Sequence, residues 1–546
     1  LPISTGPGLI NTRGGGDSPF LFIRLHQLVA NLHDGVFPAR WMPDAAYGLG
    51  YPFFNYYASL PYYFGAIFNL IGFDLLISIK IVQTLGFVLA AFAMYRWTGR
   101  HVSDRLVSWL IALAYLAAPF HFVNIYVRGD SLSEFYAFVF YPLILLAIDR
   151  VIESPRVFYW LAFAYGGLLL THNVSALIFS PFALLYALIG LSKSGIRNQK
   201  SKLLGLVAGF GLALALSAWF WLPALSESKL VQLQVQSTGY FNYAGHFRSI
   251  DLIQPSFGFD YSLASTPGAS TPFAMGLAQA LATLFGLTGM LITWRQARDK
   301  SWRLFALIGL ALSTFMITPW SQALWDHLPL LPFAQFPWRF LSVQSLFTSM
   351  VIGYAVGVLA ARKRARIIGS TLIGLILIAT VFLPLRPAYL PIRADEITAQ
   401  RIQLYESFTT NIGTTIRGEY LPNTVVPHPL IGQMLIDSSA SPQVIVASGQ
   451  ATADLTAHAS IQQTWQVRVD SDRSVIDFPV IDWPDWQAAV DGQRVEAKAA
   501  PDLGYLQIEV PNGNHQVDLS LARTPIRVLG ETLSLAALIA LAAYLS

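Results

Sequence analysis

The sequence predicts an all-α membrane protein of about 11–12 transmembrane helices, with an antiparallel β domain outside the membrane near its C-terminal end. Three observations carry this. Of 546 residues, 54% are hydrophobic and only 12% charged, about half the charged share of an average soluble protein. The apolar runs are long and continuous, whereas an outer-membrane barrel alternates in strands of about ten residues. One long stretch, residues 386–526, departs from this pattern and holds nine basic residues against sixteen acidic ones.

A bilayer core of about 30 Å takes about 20 apolar residues of helix. With that window, spans fall near 76–97, 106–125, 132–149, 157–171, 174–191, 203–224, 272–294, 302–318, 338–361, 367–385 and 527–546. The chain opens on Leu1-Pro2-Ile3-Ser4, which reads as loop, so a segment upstream of Leu1 is expected. There is no cysteine, which excludes disulfides, thiolate metal sites and cysteine nucleophiles. The net charge is only +4 and no basic stripe with interleaved aromatics appears, so no nucleic-acid partner is expected.

Loop charge sets orientation, because Lys and Arg collect on the cytoplasmic side. Five loops are basic: Arg96/Arg100/Arg105, Arg150/Arg156, Lys193/Arg197/Lys200/Lys202, Arg295/Arg298/Lys300/Arg303 and Arg362/Lys363/Arg364/Arg366. They hold 17 of the 35 Lys and Arg residues and fall on alternate sides of successive spans. All five can therefore be cytoplasmic at once. This scheme puts 1–75, 126–131, 225–271, 319–337 and 386–526 outside the inner membrane, as parts of a multi-pass protein. Residues 56–72 are long enough to span, yet a crossing there would invert every later loop. Pro61, the tyrosine-rich start and the closing Gly72 instead suit a helix lying in the outer interface. The expected parts are thus a first external loop with its interfacial helix (1–75), a transmembrane domain (76–385, with external loop 225–271), an external β domain (386–526) and a last span (527–546).

Within 386–526, short alternating runs are separated by turn residues. Val475–Phe478, Trp486–Val490, Tyr505–Val510 and Val517–Leu519 alternate apolar and polar. Asp491-Gly492 and Asn512-Gly513 separate neighbouring runs, and such pairs are the strongest short-range hairpin signals.

Several polar residues sit where membrane rules disfavour them. Ser131 and Glu134 fit a capping box at a helix start, within Arg128-Gly129-Asp130-Ser131-Leu132-Ser133-Glu134. The same residues suit a cavity lined by Asp130 or Glu134, with Arg128 contacting phosphate. His172-Asn173 lies at a tight external turn, where a polar pair costs desolvation unless it is bonded or wet. Arg339, in Phe336-Pro337-Trp338-Arg339-Phe340, is a cation in the first turn of a helix. It is also on the side where Lys and Arg are depleted. Such a residue calls for an anionic partner, either a lipid phosphate held bidentately or a carboxylate such as Asp326. Loop 225–271 mixes Glu227, His246, Arg248, Asp251 and Asp260 with aromatic residues, among them Tyr240, Phe241, Tyr243, Phe257, Phe259 and Tyr261. That mixture suits sugar faces and lipid headgroups equally.

Three stretches resemble a known family. Gly16-Asp17 with Leu32-His33-Asp34-Gly35-Val36-Phe37-Pro38-Ala39-Arg40-Trp41 and Gly48-Leu49-Gly50-Tyr51-Pro52 resembles the first external loop of bacterial YfhO-like and 6-pyruvoyl-tetrahydropterin synthase-related membrane proteins. Tyr56-Tyr57 through Pro61-Tyr62-Tyr63 to Gly72 is similar to the interfacial helix of the GT-C glycosyltransferase superfamily. Trp483-Pro484-Asp485-Trp486 through Asn512-Gly513-Asn514-His515 resembles the YfhO-like C-terminal domain. The resemblance implies a GT-C-like frame that transfers a sugar from a polyprenyl-phosphate donor to a glycan, lipid or protein acceptor. It also implies a catalytic acid in the first external loop, here Asp17. A carboxylate there takes the acceptor's proton or holds a divalent metal ion that does so; the residues leave the metal requirement open. A non-catalytic scaffold or subunit of a membrane complex keeps the same frame, and a lipid or glycan transporter is a third class. No phosphate-binding GxxxxGK[ST] loop supports ATP-driven transport.

Overall fold

The computed structural model describes residues 6–12, 18–129, 131–193, 196–263, 271–295, 297, 300–359, 363–426, 443–501 and 504–546. The chain forms two compact units. One comprises 1–21, 79–217 and 237–391; the other comprises 22–78, 218–236 and 392–546.

The first unit is helical. Nine described helices, counting Pro525–Leu545 of the second unit, are long and apolar enough to cross a membrane. Two further expected spans are shorter, as the 13-residue helix Tyr159–Thr171 and the 16-residue helix Leu277–Ile292. The span expected at 203–224 lies earlier and ends sooner, as Gln199–Leu216. The helix Ile196–Leu216 stops at Ser217, whose hydroxyl bonds back to the Ala213 carbonyl at 2.7 Å, and Ala218–Ser226 is a separate helix. Serine back-bonding of this kind competes with the helical ladder.

Basic-loop residues come together at one end of this unit. Arg100 pairs with Glu153, and Arg366 pairs with Asp104, which also caps the next helix through Leu106 N at 3.0 Å. His101 Nε2 lies 2.6 Å from Asp149. Glu134 stands near the opposite end of the same helix, Leu132–Glu153, that carries Asp149. A two-stranded antiparallel ribbon pairs Leu9–Asn11 with Ala388–Leu390.

In the second unit, which takes in the chain from Phe22, the helix Pro19–His33 departs from the loop expected over 1–75. Arg24, His26, Gln27 and Asn31 break up its apolar pattern. The helix Leu60–Leu70 has eleven residues. It rises about 16 Å, half the hydrocarbon thickness. Gly72 ends it with φ at 108°, a conformation open to glycine.

The sheet of this unit has seven strands: β1 (Ile445–Ser448), β2 (Ala451–Ala459), β3 (Gln462–Ile481), β4 (Trp486–Val490), β5 (Gln493–Val495), β6 (Ala497–Ala499) and β7 (Tyr505–Leu521). Their order is β1-β3-β7-β4-β5, with β2 on the other half of β3 and β6 on β7. All pairs are antiparallel. Alternate residues Trp465, Val467 and Val469 of β3 and Val517 and Leu519 of β7 are buried, as a sheet covered on one face requires.

The Asp491-Gly492 signal forms its turn: Val490 pairs with Gln493, and φ is 49° and 78° at the two central residues, as a type I′ turn needs. Asn512-Gly513 does not turn. β7 runs through it, because β3 supplies a partner on both sides: Val469 faces Gly513 and Arg473 faces Pro511. The pair instead sits at a bulge, where a proline and a left-handed glycine (φ 125°) are tolerated within a strand.

Candidate functional site

Three of the six residues singled out in the sequence, Arg128, Glu134 and Arg339, meet in the first unit, and a fourth, His172, lies near them. Glu134 lies in the first turn of Leu132–Glu153 and is buried. Its Oε2 accepts from Arg128 Nη1 at 2.6 Å and lies 3.5 Å from Arg339 Nε. The capping box expected from Ser131 and Glu134 is not made: Ser131 makes no cap bond, and Glu134 turns to the guanidiniums instead. Two cations repay the desolvation of a buried carboxylate more fully than a backbone amide does.

Arg128 follows the helix Pro119–Tyr126. Its Nη1 also donates to Asn124 Oδ1 at 2.6 Å, and its guanidinium lies 5.1 Å from the centroid of Trp338. Its Nε and Nη2 donate to no described residue. Gly129 has φ at 70°, and a Cβ there would come within 2.6 Å of Thr12 Oγ1, so only glycine fits this turn.

Arg339 is carried by the turn Pro337–Phe340, with Pro337 at its first position. Arg339 Nη1 donates to the Ala334 carbonyl at 3.0 Å, and the guanidinium sits 5.2 Å from the Phe336 centroid. Gln335, with φ at 63°, reverses the chain between these residues, a strained conformation for a side chain other than glycine. Asp326, the carboxylate expected as an alternative partner, instead accepts from the Tyr243 hydroxyl.

His172 caps the helix Asn173–Ser192, its Nδ1 accepting from Ser175 N at 3.2 Å. The carboxylate of Glu134 lies close enough for its charge to act on the imidazole. Tyr141, two turns along the helix from Glu134, bonds Ser342 at 3.3 Å. Asp17 and Asp130 lie outside the described residues. The residues that bracket the first of these are joined: Thr12 N donates to Ser18 Oγ at 2.7 Å, and Thr12 borders Gly129.

The cluster thus offers guanidinium N–H groups over two aromatic faces, suited to an oxyanion such as a phosphate. It offers no obvious metal set. Among the described residues no three His, Asp or Glu side chains are grouped for an ion, and Glu134 is already held by two cations. Asn124 was missed in the sequence; its one signal is a lone carboxamide four residues before Arg128, one helical turn away. Trp338 and Phe336, the sequence neighbours of Arg339, place their rings against the guanidiniums of Arg128 and Arg339.

The family model for the 6-pyruvoyl-tetrahydropterin synthase related domain, a membrane protein, matches residues 54–385. An uncharacterized protein of Lactococcus lactis subsp. cremoris (strain MG1363) is 24% identical over 326 residues, which are 57% of this chain and 51% of that protein. The chain therefore spans about half the length of this relative. The family match covers more than half of the chain, and the protein belongs to the 6-pyruvoyl-tetrahydropterin synthase related membrane proteins.

Proposed function

We propose that this member of the 6-pyruvoyl-tetrahydropterin synthase related family is an inner-membrane glycosyltransferase of GT-C type. It moves a sugar from a polyprenyl-phosphate donor to an extracytoplasmic glycan, lipid or protein acceptor. The observation that carries this is Arg128. Glu134 and Asn124 hold its Nη1, while among the described residues none accepts from its Nε or Nη2. A guanidinium fixed in this way binds phosphate oxygens at little entropic cost.

In this reaction Arg128 and Arg339 hold the donor phosphate and take up the negative charge that develops as the sugar–phosphate bond breaks. Glu134 does not act as the base, because a carboxylate shared by two guanidiniums is a poor proton acceptor. That role falls to Asp17. Thr12, whose N–H bonds Ser18 Oγ, lies beside Gly129, next in the chain to Arg128. Asp17 takes the acceptor hydroxyl proton as the hydroxyl attacks the sugar carbon and the polyprenyl phosphate leaves.

The test uses the full chain in lipid nanodiscs, with polyprenyl-phosphate [14C]hexose and a cell-envelope acceptor fraction from a strain lacking the gene. Label should move to the acceptor, and Asp17→Asn should abolish the transfer while the melting temperature stays within about 2 °C. Donor that is bound but never consumed, with Asp17→Asn silent and a stable complex co-purifying, would establish the scaffold instead. An exposed edge favours that second function: β2 pairs with β3 alone among the described strands, and a free edge can add a partner strand.

A further inference from the structure

We infer that Tyr240 and His246 form a platform for a hexose ring beside the guanidinium pair; this rests on the glycosyltransferase reading and extends it to the sugar. Tyr240 is 72% exposed, yet it is not a loose side chain. Its ring meets His246 edge-on at 4.9 Å and Phe336 at 6.2 Å, and His246 meets Phe336 edge-on at 4.7 Å. Phe336 stacks on Trp338 at 4.7 Å, and Trp338 stacks on Phe273 at 4.1 Å. A ladder of rings therefore runs from open solvent at Tyr240 to the two rings that carry Arg339 and Arg128.

The loop that presents these rings is pinned at several points. Arg248 N donates to the Ile317 carbonyl at 2.9 Å, and its guanidinium bonds the Phe273 carbonyl, Asp251 and Thr271. Tyr243 stacks on Trp325 at 5.3 Å and donates to Asp326. His246 Nε2 meets the Tyr240 carbonyl at 2.5 Å, so its Nδ1 is the nitrogen that faces a ligand; a fixed, exposed aromatic face with that imidazole at its edge offers C–H stacking and one hydrogen bond, the combination a pyranose uses. A lipid headgroup would use the same ring as a simple interfacial anchor. The ladder favours sugar, because it ends on the two cations that would hold the phosphate of the same molecule.

The test follows methyl hexosides (glucoside, galactoside and N-acetylglucosaminide) by saturation-transfer NMR on the full chain in nanodiscs. At least one should receive signal. Tyr240→Ala should cut that signal about fivefold and Tyr240→Phe should keep it, since ring stacking is worth about 1 kcal/mol. Equal signal in Tyr240→Ala, or none from any hexoside in the unaltered protein, would overturn the platform. The cysteine-free chain allows a bimane label at Tyr240→Cys. Quenching of that label by brominated phospholipid would place the position on lipid and also overturn the platform. Sugar-free polyprenyl phosphate reports the guanidinium pair separately. Its binding should survive Tyr240→Ala, and its failure to bind the unaltered protein would count against the glycosyltransferase reading instead.

Discussion

Glu227 and Arg527 meet inside the second unit through two hydrogen bonds to the same carboxylate oxygen, 3.2 Å from Nε and 3.0 Å from Nη2. The guanidinium lies 3.7 Å from the Trp483 centroid, and Thr524 Oγ1 and Asn55 Nδ2 also donate to Glu227. A neighbouring pair, Arg40 with Glu531, bonds at 3.0 Å. Together these fix the first turns of the helix Pro525–Leu545.

Glu227→Gln should therefore destabilise strongly. It leaves Arg527, 1% exposed, without its counter-charge, and breaking one side of a buried pair costs about 3–5 kcal/mol. The measurement is thermal unfolding of the detergent-solubilised protein. A shift no larger than that of an exposed control such as Arg468→Gln would refute the argument.

Glu406 supplies a pH dependence. It is buried, and its carboxylate accepts from the backbone N–H groups of Ala46, Tyr47 and Gly413 at 2.6–3.0 Å. Burial outweighs those donors and pushes its pKa up to about 7. The folded protein then holds this proton more tightly than the unfolded chain does. The stabilisation is complete below the ordinary glutamate value and is lost as pH rises through about 7. Over that window the unit should lose on the order of 3 kcal/mol. Glu406→Gln should flatten the slope, at a constant cost of about 1–3 kcal/mol, because a carboxamide cannot accept all three donors. Urea unfolding at pH 5 and 8 measures both.

Much of this architecture was legible because it depends on local period and composition. The spans follow from apolar run length, and the Asp491-Gly492 turn from two residues that tolerate positive φ. Arg339 stood out because it violates two rules at once. Its partner did not, because Glu134 lies far earlier in the chain and no local pattern distinguishes it from Asp326. Asn512-Gly513 misled for a similar reason: whether such a pair turns or bulges depends on the neighbouring strand, here β3. The helix Pro19–His33 was hidden because its buried polar residues have tertiary partners, such as Thr414 for Arg24 at 3.0 Å.

Gly289 tests the packing of the helical unit. A Cβ there would lie 1.9 Å from the Tyr354 carbonyl oxygen, and one at Gly286 would lie 2.2 Å from that of Val351. Small residues let two helices approach backbone to backbone. Gly289→Ala must separate them and should cost about 1–3 kcal/mol or more. Gly211→Ala, where nothing lies within 4 Å, should be neutral or slightly stabilising. Equal melting temperatures for the two variants would refute the close approach.

Arg128→Lys separates the charge of this residue from its shape. Lysine keeps a cation near Glu134, so folding should be nearly unchanged, but it lacks the planar fork that lies over Trp338 while bonding Glu134 and Asn124. If the open side of that fork binds the donor phosphate, transfer should fall about 100- to 1000-fold, the loss seen when one fixed donor to a developing oxyanion is removed. Arg128→Ala should lose the same activity and also unfold more readily, because among the described cations Glu134 then keeps only the more distant Arg339, at 3.5 Å. A lysine variant with full activity would mean that Arg128 serves only as the counter-ion of Glu134, and the phosphate would then have to be held elsewhere.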